Sequence, residues 1–331
     1  MRSLGWRGRV GLALFSTIEP QMREVSQILV DTLKSDNPLV ALVADFVLAA
    51  SGKQLRPALV LLASQFGEQT AQTRQNTVWV AAAAEMIHMA TLIHDDIIDE
   101  ATIRRGQQAV RSRFSDPVAV LAGDYLFAQA FRLFARTGQP EIIALAAKVV
   151  EVMCVGEIAQ HLDQGRVATE AEYWQRIEAK TGFFLEASCR LGGLASQAAD
   201  GVRDVLGRFG HHIGLAFQVV DDLLDWLADP QKLGKAVGGD LAEGTYTLPI
   251  IYALQTESYR ARVEGHLRSP DPALGMQGLR ALLAESGALD YSRRQAEHHV
   301  REALSVVASL PSGQARDSLR NLADFVLARE Y

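Results

Sequence analysis

Apolar residues recur along this chain at the three- and four-residue spacing of amphipathic helices, nearly from end to end. Proline and glycine fall where such helices start and stop. The stretch from Arg56-Pro57-Ala58 to Phe66-Gly67 opens with proline near its first turn and closes with glycine. Ser115-Asp116-Pro117 caps a long helix that should stop near Thr137-Gly138. A helix carrying Asp95, Asp96 and Asp99 should end around Arg104 to Gly106, and one carrying Asp221, Asp222 and Asp225 near Pro230. The glycine-rich stretch from Gly234 to Gly244 reads as a loop, and Glu257 to Gly313 as outer helices. Strand-type alternation is almost absent, and no Ser/Gly-rich linker divides the chain. The expectation is an all-α fold, one domain over residues 1–331.

Composition narrows the class. With 48 % hydrophobic and 22 % charged residues, the chain can bury a large core and remain water-soluble. A net charge of −6 provides no global field to recruit nucleic acid. No apolar run approaches the roughly 20 residues of a membrane span, so none is expected. Met1 to Ser16 holds basic residues and a short apolar patch, Val10 to Phe15, and is read as a lead-in to the first helix. Cys154 and Cys189 lie in helical patterns without metal spacing, and both are expected to be reduced core thiols of a cytoplasmic protein.

The chemistry concentrates in two copies of one pattern, Asp95-Asp96-Ile97-Ile98-Asp99 and Asp221-Asp222-Leu223-Leu224-Asp225, each after an apolar run (Ala90 to Ile93, and Ile213 to Val220). On a helix, positions i, i+1 and i+4 can gather three carboxylates on one face. Such like charges in an apolar setting are costly unless cations neutralise them. Oxygen-only ligands suit magnesium, which keeps waters and bridges to substrate phosphates. Two such clusters predict a cage for a diphosphate gripped by several magnesium ions; two solvated acidic helix ends are the bland alternative. Cations accompany them: Lys53 and Arg56 before a helix, Arg104 and Arg105 after the first cluster, Lys180 between the clusters and Lys235 after the second. His88 stands two helical turns before Asp95; Thr181 and Gln218 are polar neighbours. Taken singly, each of these has an ordinary reading as surface charge or satisfied core.

Together the motifs resemble the trans-isoprenyl diphosphate synthases of the polyprenyl synthetase family. The matching text is Gly52-Lys53-x-x-Arg56-Pro57, His88-x-x-x-Leu92-x-His94-Asp95-Asp96-x-x-Asp99 and Arg104-Arg105-Gly106. It continues with Gly123-Asp124-Tyr125-Leu126-Phe127, Lys180-Thr181, Phe217-Gln218-x-x-Asp221-Asp222-x-x-Asp225, Gly234-Lys235-x-x-Gly238-x-Asp240-Leu241 and Thr247-Leu248-Pro249. The resemblance implies a single-domain helical bundle around a deep central cavity, the isoprenoid synthase fold, and a homodimeric prenyltransferase that condenses isopentenyl diphosphate with an allylic diphosphate. In it the six motif aspartates, Asp95, Asp96, Asp99, Asp221, Asp222 and Asp225, are metal-facing and hold about three magnesium ions. Arg104, Lys180 and Lys235 would grip the allylic diphosphate, and Lys53, Arg56, His88 and Arg105 would hold isopentenyl diphosphate. Lys180, Thr181 and Gln218 are the implied catalytic side chains, the last two beside the reacting allylic carbon.

Two departures stand out. Thr245 occupies the place of a family lysine before Thr247-Leu248-Pro249, and Gln107-Gln108 replaces Lys-Pro after Gly106. In similar enzymes, aromatics at the positions of Ala90 and Thr91 shorten the product. Small residues there, with Ile87 a turn further down, imply a tunnel open beyond farnesyl length. Rival readings are a class I terpene cyclase, which the second Asp-Asp-x-x-Asp opposes, and a non-catalytic subunit of a heteromeric synthase, which two intact motifs oppose.

Overall fold

The computed structural model describes residues 17–49, 52, 54–104, 106–227 and 238–329, the side chains of 272 and 273 excepted. Lys53, Arg105, Gly234 and Lys235, like the expected lead-in over Met1 to Ser16 and the expected helix end near Pro230, lie outside these residues. The all-α expectation holds: apart from one two-residue hairpin, the regular structure among the described residues is helical. The helices group into two compact units.

The first unit comprises Met1–Val150, Leu185–Gly210 and Val307–Asn321. It contains α1 (Glu19–Leu33), α2 (Pro38–Ala49), α3 (Leu55–Ser64), α4 (Ala71–Ile98), α5 (Val110–Arg113) and α6 (Asp116–Ala135). Thr70 starts α4 with a reciprocal capping box: its hydroxyl accepts the Thr73 N–H, and the Thr73 hydroxyl accepts the Thr70 N–H. Ser115 caps α6 as its sequence foretold, accepting the Val118 N–H at 3.4 Å. The Ala81–Ala84 run makes α4 apolar all round, and it is buried accordingly. Its closest packing is along α6, where Gly123 makes room for the His94 ring: a Cβ there would sit 2.1 Å from His94 Nε2. His94 Nε2 in turn lies 3.1 Å from the Val120 carbonyl. Both α4 and α6 are long and apolar enough to cross a membrane by length and composition, which counting uninterrupted apolar runs did not detect. In α4, 72 % of the relevant window is buried inside the protein, the mark of a core helix.

The first aspartate helix ends earlier than its sequence suggested. It stops at Ile98 with Asp99 as C-cap, because Glu100 turns left-handed at φ +51°. The Ala101 N–H bonds the Asp96 carbonyl and the Glu100 N–H bonds that of Ile97, a Schellman closure with glutamate where glycine is the usual residue. The chain then forms β1 (Ile103–Arg104) and β2 (Gln107–Gln108), paired Ile103 to Gln108 and Arg104 to Gln107 around a two-residue turn with Gly106 at φ +75°. Helical propensity could not carry past Glu100 because the closure reverses the chain there.

The second unit comprises Glu151–Phe184, His211–Val306 and Leu322–Tyr331. It holds parts of α7 (Pro140–Leu162), α10 (Asp200–Leu227), α15 (Ala288–Val307) and α16 (Gln314–Leu327). Wholly within it lie α8 (Glu170–Ile177), α11 (Gly239–Ala242), α12 (Leu248–Gln255), α13 (Glu257–Leu267) and α14 (Pro272–Glu285). A π-helical turn, Glu178–Gly182, links α8 to α9 (Phe183–Ala195). Trp226, Ile250, Val263, Leu279 and Leu283 form the unit's apolar core. Cys189 is buried and its thiol is pushed up by that burial, as a core thiol should be, whereas Cys154 is exposed on α7, contrary to expectation. Glu151 and Glu157, three residues to either side of Cys154, mark its face as polar, a signal that the core-thiol reading passed over in favour of the adjacent Val152, Met153 and Val155.

Glutamate in the left-handed region costs roughly 1 kcal/mol that glycine does not. Glu100→Gly is therefore expected to raise the free energy of unfolding by about 0.5–1 kcal/mol in urea titrations, with the slope unchanged.

Candidate functional site

Within the first unit, the last turn of α4 presents the first aspartate motif at a helix C-terminus, where the backbone dipole already carries partial negative charge. Acidic residues there gain nothing from the helix, so only a cation accounts for the placement. The three carboxylates do not share one face. Asp95 is half-buried and Asp99 exposed, while Asp96 is 3 % exposed and turned into the protein. There the Arg104 side chain from β1 meets it, with Nε at 2.6 Å and Nη2 at 2.5 Å from Oδ1. A guanidinium has five N–H donors. Holding Asp96 with its inner edge fixes Arg104 in place and leaves its outer edge for an anion. His88, Glu85, Phe46 and Val47 join Asp96 and Arg104 around a small cavity of about 40 Å³. Arg56 is half-buried in the first turn of α3, after Gln54 at φ +51°.

Within the second unit, the π-turn brings Lys180 and Thr181 to α10. The approach is backbone-close: a Cβ on Gly214 would lie 2.7 Å from the Gly182 Cα. One helical turn past Gly214 stands Gln218, whose Oε1 accepts the Thr181 hydroxyl at 2.7 Å. Gln218 Nε2 donates to Asp222 Oδ1 at 2.9 Å, and the Tyr173 hydroxyl donates to Asp222 Oδ2 at 2.7 Å. Asp222 is 3 % exposed, and burial pushes its carboxyl up to about 6 despite those two donors. Asp225 takes the backbone N–H groups of Gly239 and Asp240 on its two oxygens, at 3.1 and 3.3 Å. The carboxyl of Asp240 is raised well above its ordinary range, by burial first and then by the charges of Asp222, Asp225 and Glu243. Asp221 pairs with Arg329 at 2.7 Å, and that guanidinium lies 4.0 Å over the Phe217 ring. Lys180 reaches Glu157 at 3.4 Å.

The family resemblance implied Thr181 and Gln218 beside one reacting carbon, and the structure joins the two by a hydrogen bond; no role was assigned to Tyr173, Asp240, Glu157 or Arg329. Asp240 stands in the Gly238-x-Asp240 pattern and could have been singled out. A lone tyrosine in Glu172-Tyr173-Trp174 carries no signal of its partner 49 residues on.

Among the described residues, no three carboxylate, histidine or cysteine side chains converge as a ready-made metal cage. Magnesium takes one or two carboxylates and fills its remaining positions with water and substrate phosphate. The donor set fits: all-oxygen, and holding more negative charge than the neighbouring cations offset.

The pattern of the polyprenyl synthetase family matches residues 37–274. Component 2 of the heptaprenyl diphosphate synthase of Geobacillus stearothermophilus is 35 % identical over 320 residues, covering 96 % of this chain and 99 % of that one. A short chain isoprenyl diphosphate synthase of Methanothermobacter thermautotrophicus is 39 % identical over 295 residues, covering 87 % and 90 %. The crystal structure of a Caulobacter crescentus polyprenyl synthase, complexed with calcium and isoprenyl diphosphate, superposes with a TM-score of 0.89 at 31 % identity over 97 % of this chain and 98 % of that one. The chain belongs to the polyprenyl synthetase family, whose members are prenyltransferases with the all-α isoprenoid synthase fold.

A carboxyl whose native pKa lies above its unfolded value of about 3.9 binds its proton more tightly in the fold. The Asp222 contribution therefore favours the native state at acidic pH and is lost as pH rises through 6. Above that pH the cluster is anionic and gains from a cation. The rise in melting temperature on adding magnesium should be larger at pH 8 than at pH 5 by scanning fluorimetry. An equal rise at both would place the ion away from these carboxylates.

Proposed function

We propose that this chain is a catalytic synthase that condenses isopentenyl diphosphate with an allylic prenyl diphosphate in a 1'-4 fashion, giving an all-trans polyprenyl diphosphate longer than farnesyl. The observation that carries it is the second-unit constellation. There an acidic motif suited to a diphosphate-bound cation stands beside Lys180, and the Thr181–Gln218 pair offers oxygen lone pairs to a developing positive charge. Arg104, Lys180 and Lys235 grip the allylic diphosphate; Lys53, Arg56, His88 and Arg105 hold isopentenyl diphosphate. The motif aspartates would hold magnesium, about three ions, which would supply neutralising charge to the diphosphate; calcium in the Caulobacter relative supports a divalent ion. As the C–O bond of the allylic substrate ionises, these cationic side chains stabilise the departing diphosphate. The double bond of isopentenyl diphosphate, held close, attacks the allylic carbon. A proton then leaves for the diphosphate, which needs no dedicated side-chain base. The enzyme acts in the cytoplasm as a homodimer, for which the exposed Leu39, Leu42, Val120 and Leu121 of the first unit offer an apolar surface. The words "component 2" in the Geobacillus relative's name support a second reading, a catalytic chain that needs a further component.

Ala90 is fully buried, one turn before His94 on the stripe that meets α6, so its small size serves helix packing. Thr91 is half-buried, its hydroxyl donating to the His88 carbonyl, and is the better candidate for the tunnel floor.

With magnesium, labelled isopentenyl diphosphate and dimethylallyl, geranyl, farnesyl or geranylgeranyl diphosphate, the purified protein should yield elongated prenyl alcohols after dephosphorylation. Asp95→Ala and Asp221→Ala should each lower turnover on the order of a thousandfold. No elongation from any primer would sink the stand-alone reading and turn attention to a missing component. Separately, Thr91→Phe is expected to shorten the longest product without lowering the melting temperature. An unchanged product length would move the floor elsewhere.

A further inference from the structure

The middle aspartate of the second motif is held by the protein on both oxygens. Asp222 Oδ2 takes the hydroxyl of Tyr173, a side chain with no exposed surface, and Oδ1 takes the Gln218 amide. An ionised carboxylate only accepts, so it fixes which end of the neighbouring amide faces it. The NH₂ of Gln218 must point to Asp222, and Oε1 must point away, where the Thr181 hydroxyl donates into it. The hydroxyl hydrogen of Thr181 and one amide hydrogen of Gln218 therefore run along the chain toward the carboxylate, and Tyr173 closes the chain from the other side. At the far end, Thr181 Oγ has spent its only hydrogen and has lone pairs alone to offer. A neutral amide in place of Asp222 could donate as well as accept. It would allow Gln218 to reverse and present hydrogens where the chain now presents oxygen.

We propose that Asp222 and Tyr173 are positioning residues rather than metal-holding ones: they lock the Gln218 amide so that Thr181 and Gln218 present oxygen lone pairs to the allylic cation. The inference rests on the synthase reading for the identity of that cation. It separates Asp222 from Asp221, the motif's metal-facing group against which the test compares it. Its physical content is preorganisation: dipoles aimed before the charge develops need no rearrangement when it does.

The test is a double-mutant cycle on steady-state elongation, with Mn²⁺ binding in the presence of inorganic pyrophosphate measured in parallel by electron paramagnetic resonance. Asp222→Asn and Tyr173→Phe should each lower kcat by roughly 10- to 100-fold, and leave the KM for the allylic diphosphate and the Mn²⁺ affinity within about threefold. Asp221→Asn should weaken Mn²⁺ binding. In a Gln218→Ala background, adding Asp222→Asn should cost less than about threefold, because the group it orients is gone. Equal losses in both backgrounds, or Mn²⁺ binding lost with Asp222→Asn as with Asp221→Asn, would overturn the proposal and return Asp222 to the metal. Full kcat in Tyr173→Phe would remove the tyrosine from the relay. Should that buried variant fail to fold by circular dichroism, the Asp222–Gln218 cycle decides alone. A wild-type protein without elongation from any primer would strike the synthase reading instead, and the Mn²⁺ comparison would still report whether Asp222 is a ligand.

Discussion

Carboxylates buried in apolar helices set the terms for much of what surrounds them. A charge moved out of water must find partners, and the protein supplies them selectively. Asp96 has Arg104, Asp222 has Tyr173 and Gln218, and Asp225 has two backbone N–H groups at the start of α11. These contacts satisfy some of the negative charge and leave the remainder as an attraction for cations. The balance explains why so much local structure converges on the two motifs: a hairpin that delivers one arginine, a π-turn that delivers a threonine, and a C-terminal arginine laid over Phe217.

Much of this was legible in the sequence, for a physical reason. Helical spacing is local, so the motif helices and the Ser115 cap could be read directly, and isolated polar residues near the motifs, His88, Arg104 and Gln218, marked the neighbourhood. Direction around the helix was harder. Adjacent residues are turned by about 100° from each other, so Asp95 and Asp96, or Asp221 and Asp222, cannot both face the same way. The pairs look alike in sequence, and only tertiary packing decides which member is buried. The end of α4 was illegible for a different reason. Glutamate seldom takes the left-handed closure, and nothing in Asp99-Glu100-Ala101 announces it.

Backbone proximity does as much as side-chain chemistry. Gly182 and Gly214 allow the π-turn to touch α10, and that contact sets the Thr181–Gln218 distance. π-Helical turns are uncommon and concentrate at functional sites. Here the widened turn carries two consecutive residues, Lys180 and Thr181, to one place without a loop, so the site inherits the stiffness of a helix.

The two cysteines differ in a way that makes the molecule convenient to watch. Cys189 is sealed in the core, and Cys154 is open to solvent on α7, one turn before Glu157, the partner of Lys180. A thiol-reactive dye would attach at a single known point without any prior cysteine removal. It would sit close to the Lys180–Glu157 pair, turning an incidental residue into a built-in reporter on that pair in real time.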